Sequence, residues 1–480
     1  MSETTLKEKT AKGFAWGALN NGATQLLNAV FGILLSRKLG QEDYGLINML
    51  IIFSLIATAL QDSGFVIALT NKKDATHRDY NSVFWFNVPV SICLYALLFF
   101  CAPAIADFYG EPILTPLARY YFLGFLISSF GIVPRAVLFK SLKQKELAIM
   151  GLTSLVISGA VGITMAYSGM AFWSIATQNV TFILCTVILS WILSGWRPSL
   201  DISMEPVRQM FGFSSRMLVT YIFNNINNNV FSLVLGRLYG KYETGVYSQA
   251  NKWNTMGSNT INGMVQGVAQ PTFVQVGDDK EHLCRAFSKM LRFTCFVSFP
   301  SMFGLALIAP EFIVVTVTEK WLSSAMLMQI LCIGGAFLPL STLYFNMLIS
   351  RGKSNIYMWN VIGQGCTILT SILLVHALGG GITHMVCAYV AVVVGWLFVW
   401  QYFVRAEIGF SFVQALRDII PFVIISSVSM LATYFLTSAV TNIYVLLVAR
   451  ILVAAVLYVG IMWLLRANIL NECVRYILKK

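Results

Sequence analysis

Of the 480 residues, 57% are hydrophobic and only 11% are charged, with a formal net charge of +12. A soluble domain carries roughly 25% charged residues, so this composition excludes a water-soluble globular enzyme and makes lipid the solvent for much of the chain. Apolar runs of about 20 residues, not alternating ten-residue strands, set the class as all-α, because inside lipid each helix satisfies its own backbone groups.

In chain order the runs place membrane-spanning helices over 14–36, 46–70, 83–106, 117–139, 147–168, 171–194, 210–235, 246–271, 286–309, 323–349, 356–378, 384–404, 419–437 and 443–466. That is about 14 spans. The first opens with Lys7, Lys9 and Lys12 but continues for a full span without a small-residue cleavage site, so it reads as a retained helix. The longer polar stretches, 195–209, 272–285 and 405–418, are too short to hold a folded domain.

The cations set an orientation. With the N-terminus in the cytoplasm, that side collects Lys72, Lys73, Lys140, Lys143, Lys145, Arg285, Lys289, Arg292, Arg351, Lys353, Arg417 and the Lys479-Lys480 tail. The opposite side holds only Arg37, Lys38, Arg119, Arg237, Lys241 and Lys320. This positive-inside bias puts both termini in the cytoplasm of a multi-pass membrane protein. It also accounts for most of the net charge. No loop concentrates basic and aromatic residues as a nucleic-acid surface would, so no nucleic-acid partner is expected.

The nine cysteines and four histidines carry no metal or redox spacing. The cysteines read as small hydrophobes, the histidines as solvated span ends, and Asp278-Asp279 as solvated charge without partners. No cofactor, metal or catalytic constellation is expected, and the chain does not read as an enzyme.

An internal repeat runs through the chain. Leu35-Ser-Arg37-Lys-Leu-Gly40-Gln-Glu-Asp-Tyr-Gly45 aligns with Leu235-Gly-Arg237-Leu-Tyr-Gly240-Lys-Tyr-Glu-Thr-Gly245. Gly13-Phe14 aligns with Gly212-Phe213, Ala102-Pro103 with Ala309-Pro310, Lys143/Lys145 with Arg351/Lys353, and Gly169 with Gly381. Six spans separate equivalent points, so the halves share orientation about a pseudo-twofold along the membrane normal. The expected architecture is a six-helix lobe over 1–197, a second over 198–404, and two additional helices with a cytoplasmic tail over 405–480.

Repeated halves of this kind suit a transporter with its site near the midplane. Four spans carry polar stripes. The eighth has Ser248, Lys252, Thr255, Asn259, Asn262 and Gln266 at alternating steps of four and three, one face of a helix. The seventh has Arg216, Thr220, Asn224 and Asn228, the first Asn21, Gln25 and Asn28, and the second Ser54, Thr58 and Asp62. An isolated amide commonly joins helices; a stripe along most of a helix suits a water-filled cavity. Charge within a span costs roughly 2.5–3.5 kcal/mol. Arg216 and Lys252 lie on the polar faces and suit an anionic ligand such as a pyrophosphate. Arg135 reads as snorkelling, and Arg450 as either snorkelling or facing lipid. Asp62 is the clear intramembrane carboxylate and a candidate for ion coupling.

The run Leu39-Gly40-Gln-Glu-Asp43-Tyr44-Gly45 resembles the signature that follows the first helix of bacterial polysaccharide flippases in the multidrug/oligosaccharidyl-lipid/polysaccharide exporter superfamily. Residues 134–145, Gly245-Val-Tyr-Ser-Gln-Ala-Asn-Lys252 and Ser350-Arg-Gly-Lys-Ser-Asn are similar to further stretches of its colanic-acid and teichuronic-acid export branch. The resemblance implies a V-shaped, two-lobed transporter moving undecaprenyl-pyrophosphate-linked oligosaccharide, a lipopolysaccharide-type precursor, from the cytoplasmic to the periplasmic leaflet. It implies that spans 1, 2, 7 and 8 line the portal and that the last two form a groove for the lipid tail. The partners implied are the lipid-linked oligosaccharide, membrane lipid and polysaccharide polymerase machinery. Where relatives often have an acidic residue late in the seventh span, this chain has Phe231-Ser232, so a cation-coupling role there does not transfer. A cation-coupled drug antiporter of the same fold remains the alternative.

Overall fold

The computed structural model describes residues 3–62, 69, 75–141, 143–199, 205–277, 279–465 and 469. The side chains of 3–20, 62, 206, 209–221, 224, 228, 267, 268, 270, 271, 274, 275 and 354 lie outside that description. The described residues are helical throughout, with short connections and no strand. Two compact units divide the chain, Met1–Gly245 and Val246–Lys480.

Unit 1 begins with α1 (Glu3–Lys38), α2 (Gln41–Asp62) and α3 (His77–Tyr109). Three short helices follow, α4 (Leu114–Tyr121), α5 (Leu123–Ser129) and α6 (Ile132–Lys140), then α7 (Gln144–Tyr167) and α8 (Ala171–Ser194). A capping box starts α3: the Thr76 hydroxyl accepts from the Asp79 amide, and the Asp79 carboxylate accepts from the Thr76 amide at 2.8 Å. Gly110, at φ 71°, ends it. Leu46, Met49 and Leu50 of α2, Ala102, Ile105 and Tyr109 of α3, and Leu114 and Leu117 of α4 form the core of this unit. Their spacing of three and four puts each set on one helix face.

The long α9 (Glu205–Val276) runs through the boundary of the units and is interrupted at Gly240, whose φ of 76° and ψ of −172° are not helical. Only glycine takes that conformation at little cost. Two spans separated by a loop were expected here; instead the two arms meet at a single residue.

In unit 2, α10 (Lys280–Leu307) is followed by α11 (Ala309–Val317), α12 (Leu322–Gly335), α13 (Leu338–Ser350), α14 (Ser354–Ala377), α15 (Ile382–Ile408), α16 (Phe412–Leu436) and α17 (Ile443–Leu464). Leu283, Phe287, Leu291, Cys295, Phe299 and Met302 form the buried stripe of α10. Phe287 meets Tyr344 of α13 edge-on at 5.0 Å, and α10 also packs on α12 and α16. Asp279 caps α10, accepting from the amides of Glu281 and His282, and pairs with the His282 ring at 2.6 Å. Asp279 therefore has partners, contrary to expectation, because it sits where the helix leaves its first amides unbonded. Asp278 lies outside the described residues.

Two further physical differences separate these helices from the spans read from the sequence. The run 117–139 is broken into α4, α5 and α6, with a 47° bend before α6. The run 323–349 divides into α12 and α13 at Ala336-Phe337, ahead of Pro339, which removes a backbone donor at the start of α13. By length and apolarity ten described helices can cross a membrane, or eleven if the bent group counts as one. The other long helices are α1 and the two arms of α9, which carry polar stripes.

The repeat is visible in the backbone. A Cβ on Gly45 would stand 1.8 Å from the carbonyl oxygen of Lys241, and one on Gly245 would stand 1.8 Å from that of Gln41. The two glycines thus make reciprocal contacts at a constant offset, as a pseudo-twofold requires. Further on, Lys143 donates its amide to Leu138 at 3.1 Å and Lys353 donates to Leu348 at 2.9 Å. Gly169 and Gly379 take the same left-handed conformation (φ 82° and 78°) just beyond the ends of α7 and α14. Gly379, not Gly381, is therefore the structural counterpart of Gly169. Gly381 has an extended backbone at the start of α15.

Packing draws the first arm of α9 into unit 1, through Gly236 against Tyr109 and Met49. Lys241 is tied there by Glu111 at 3.2 Å and Glu42 at 3.4 Å. The boundary at 245/246 records this packing, whereas the halves expected to meet at 197/198 are a division by sequence repeat.

Candidate substrate-binding site

The second arm of α9 is two-faced in unit 2. Val246, Tyr247, Ala250, Trp253, Ile261, Val265, Ala269 and Phe273 are buried. Ser248, Lys252, Thr255 and Asn262 are half-buried, and Asn259 and Gln266 are exposed. The stripe read from the sequence is thus the outward face of this arm, which the unit's own core leaves uncovered. The division is not wholly apolar against polar, since Gln249, Asn254 and Ser258 lie on the buried side.

Each member of the stripe has its own surroundings. The Lys252 ammonium lies 5.5 Å from the centroid of the Trp253 ring, a cation–π contact that partly offsets its desolvation. Lys252 makes no ion pair among the described residues, so its charge is available to an anion. Thr255 donates its hydroxyl to the Asn251 carbonyl at 2.8 Å, which leaves its oxygen lone pairs to accept. Asn262 accepts from Thr342 of α13 at 3.0 Å, so this amide also joins two helices.

In unit 1, Asn21, Gln25 and Asn28 are exposed along one face of α1. On α2, Thr58 is exposed and donates to the Ser54 carbonyl at 2.8 Å. Gln61, beside the stripe, is buried instead, donating to the Phe125 carbonyl and accepting from Ser128. The side chains of Arg216, Asn224, Asn228 and Asp62 lie outside the described residues. Arg135 is exposed on α6.

Arg450 departs from both expected readings. It is 7% exposed, pairs with Glu311 at 2.7 Å, donates to the Leu307 carbonyl at 3.3 Å, and lies 5.2 Å from the Tyr434 ring centroid. Neither snorkelling nor lipid contact describes it. Sequence reasoning missed Glu311 by placing it in a loop. The chain instead restarts as α11 at Ala309-Pro310, with Pro at a position where its missing N–H costs nothing, and Glu311 is carried into the unit. The Ala-Pro step at the end of the apolar run 286–309 was the available signal.

Comparisons with known proteins agree with this architecture. Residues 34–326 match the family described as "Polysaccharide biosynthesis protein". The chain is 26% identical over 365 residues to the lipopolysaccharide biosynthesis protein WzxC of Escherichia coli (strain K12), covering 74% of this chain and 73% of that protein. It is 24% identical over 359 residues to the teichuronic acid biosynthesis protein TuaB of Bacillus subtilis (strain 168), covering 74% of each. Among solved structures it is similar to the lipid II flippase MurJ in an inward closed conformation, with TM-score 0.74 and 15% identity over 96% of this chain and 99% of that one. An inward-facing multidrug resistance MATE family transporter of the MOP superfamily gives TM-score 0.65 and 14% identity, over 80% of this chain and 94% of the other. At such identities these two structures speak to fold alone.

Proposed function

The chain belongs to the polysaccharide biosynthesis protein family, and from that premise we propose that it is a flippase for a lipid-linked oligosaccharide. The substrate would be a polyprenyl-pyrophosphate carrier bearing a repeat unit, moved from the cytoplasmic to the periplasmic leaflet of a bacterial inner membrane for cell-surface polysaccharide. The observation that carries this reading is the outward polar face of the second α9 arm, with Lys252 set among amides and hydroxyls. An ammonium with three donors suits a phosphate oxygen, and amides and hydroxyls suit sugar hydroxyls. WzxC and TuaB bear polysaccharide-biosynthesis names, which supports the same substrate class.

The mechanism we infer is alternating access by the two repeat halves, 1–197 and 198–404, with 405–480 outside the repeat. Pyrophosphate rests near Lys252 and Arg216. Sugars meet Asn21, Gln25, Asn28, Asn224, Asn228, Thr255, Asn259 and Asn262, and the polyprenyl chain stays in lipid. Asp62 is kept as the candidate for ion coupling. No bond in the substrate breaks, so the halves need only bind, reorient and release. Finished units would pass to polymerase machinery on the far side.

A leaflet-resolved assay in reconstituted vesicles tests the reading. Lipid-linked oligosaccharide placed in one leaflet should become accessible to an impermeant glycosidase from the other only when the protein is present. Movement of cationic dyes without movement of the oligosaccharide would replace this function with drug antiport.

A further inference from the structure

The start of α2, the end of α3 and the first turn after Gly240 in α9 meet in one seam within unit 1. By the repeat, α2 and α3 belong to the half 1–197 and α9 to the half 198–404. The seam lies at span ends that the cation bias assigns to the periplasm. Two kinds of contact cross it. The backbone contacts are those of Gly45 with the Lys241 carbonyl and of Gly245 with the Gln41 carbonyl, each too close for a side chain. The charged contacts centre on Lys241, which pairs with Glu111 at 3.2 Å and with Glu42 at 3.4 Å. One turn earlier, the Arg237 guanidinium lies 5.4 Å from the centroid of the Phe108 ring of α3.

Lys241 is placed against the dipole of its own helix. It opens the second arm of α9, where a cation is disfavoured, and its repeat counterpart is the neutral Gln41. Glu42 sits in the first turn of α2, where the dipole favours an acid. What Lys241 serves is therefore the contact with two carboxylates from the other half. These pairs are open to water, with the Lys241, Glu42 and Glu111 side chains 30%, 61% and 22% exposed. Pairs this open are weak. The enclosed Arg450–Glu311 pair is the opposite case, because parting it would strand a buried charge. Weak pairs beside two side-chain-free backbone contacts suit a junction that closes and reopens in every cycle.

We propose that this seam is the latch that holds the periplasmic side shut between the two repeat halves. The proposal rests on the alternating access inferred above and adds which contacts part when the binding face opens outward. Lys241, Glu42 and Glu111 hold the latch, and Gly45 and Gly245 let the two halves close on one another.

The first test reads outward opening without a substrate. In the full chain with its native cysteines replaced by serine, Asn259→Cys on the exposed part of the stripe is labelled in intact cells by an impermeant maleimide. Adding Lys241→Gln should raise the labelling rate about three- to tenfold, as the loss of two partly exposed pairs would. Glu42→Gln/Glu111→Gln should do the same, and Lys241→Arg, which keeps the charge, should label at the parent rate. A second assay joins Glu42→Cys to Lys241→Cys through a reducible bis-thiosulfonate linker in reconstituted vesicles. Oligosaccharide movement should stop with the linker in place and return on reduction. Unchanged labelling in both charge variants, or full movement by the linked protein, would overturn the latch and make the seam a fixed joint. If labelling responds as expected while no variant moves oligosaccharide, the substrate proposed above falls and the latch stands.

Discussion

Two cations within spans, Lys252 and Arg450, have opposite surroundings, and their variants should behave oppositely. Arg450 is enclosed with Glu311, a backbone carbonyl and an aromatic face. Removing one partner of a buried pair strands the other and costs about 3–5 kcal/mol. Arg450→Ala and Glu311→Gln should therefore each lower the thermal midpoint in detergent, and Glu311→Leu/Arg450→Met should recover most of the loss. A double variant no better than the singles would mean that the pair does not act as a unit. Among the described residues, Lys252 has the Trp253 ring near its charge and makes no ion pair. Lys252→Ala should leave membrane abundance near wild type while greatly reducing polysaccharide export, and Lys252→Arg should retain substantial export because charge matters more than donor geometry. Full export by Lys252→Ala at normal abundance would remove it from the binding site. Sequence reasoning could not separate these two residues. Each is a lone cation in an apolar run, and the partner that distinguishes Arg450 comes from a helix far away in the chain.

Among the helices, what the sequence disclosed was periodicity, and what it concealed was breaks and partners. The polar stripe of 248–266 was legible because steps of three and four survive in one helix, and the structure keeps it on one face. The bend before α6 and the division between α12 and α13 were not, because hydropathy stays high through both. The repeat was legible as aligned glycines, yet their physical reason appears only in three dimensions. Gly45 and Gly245 each lie against a backbone carbonyl from the partner element, where a side chain has no room. Gly45→Ala and Gly245→Ala should each sharply reduce folded protein, measured as the monodisperse fraction in detergent. Gly263→Ala is the matched control: it lies on the second arm of α9 with nothing within 4 Å of an added Cβ. It should change stability by no more than about 1 kcal/mol. Normal yields for both contact variants would show that the reciprocal approach is dispensable.

For the whole molecule, the all-α multi-pass fold was readable from composition and span length, and the family only through the resemblance carried by residues 39–45 and the stretches 134–145, 245–252 and 350–355. The number of crossings depends on the helices that also carry the proposed function. Apolarity alone admits at most eleven described spans, an odd number, which would leave the termini on opposite sides of the membrane. Counting α1 and both arms of α9 makes fourteen and returns the C-terminus to the side of the N-terminus. Amides make these three helices too polar for a lipid-only criterion, although a span shielded by protein or water on one face can carry them. The cation bias, sorted over those same fourteen spans, is the expectation that matches a shared side. The parity is directly measurable. In a variant with its native cysteines replaced by serine, single cysteines at Lys9, Glu111 and Lys479 can be labelled with an impermeant maleimide in intact cells and in inverted vesicles. Cysteine at 111 should react in intact cells, and those at 9 and 479 only in inverted vesicles. Labelling of 9 and 479 from opposite faces would overturn the topology, and with it the placement of the polar helices across the membrane on which the proposed substrate path depends.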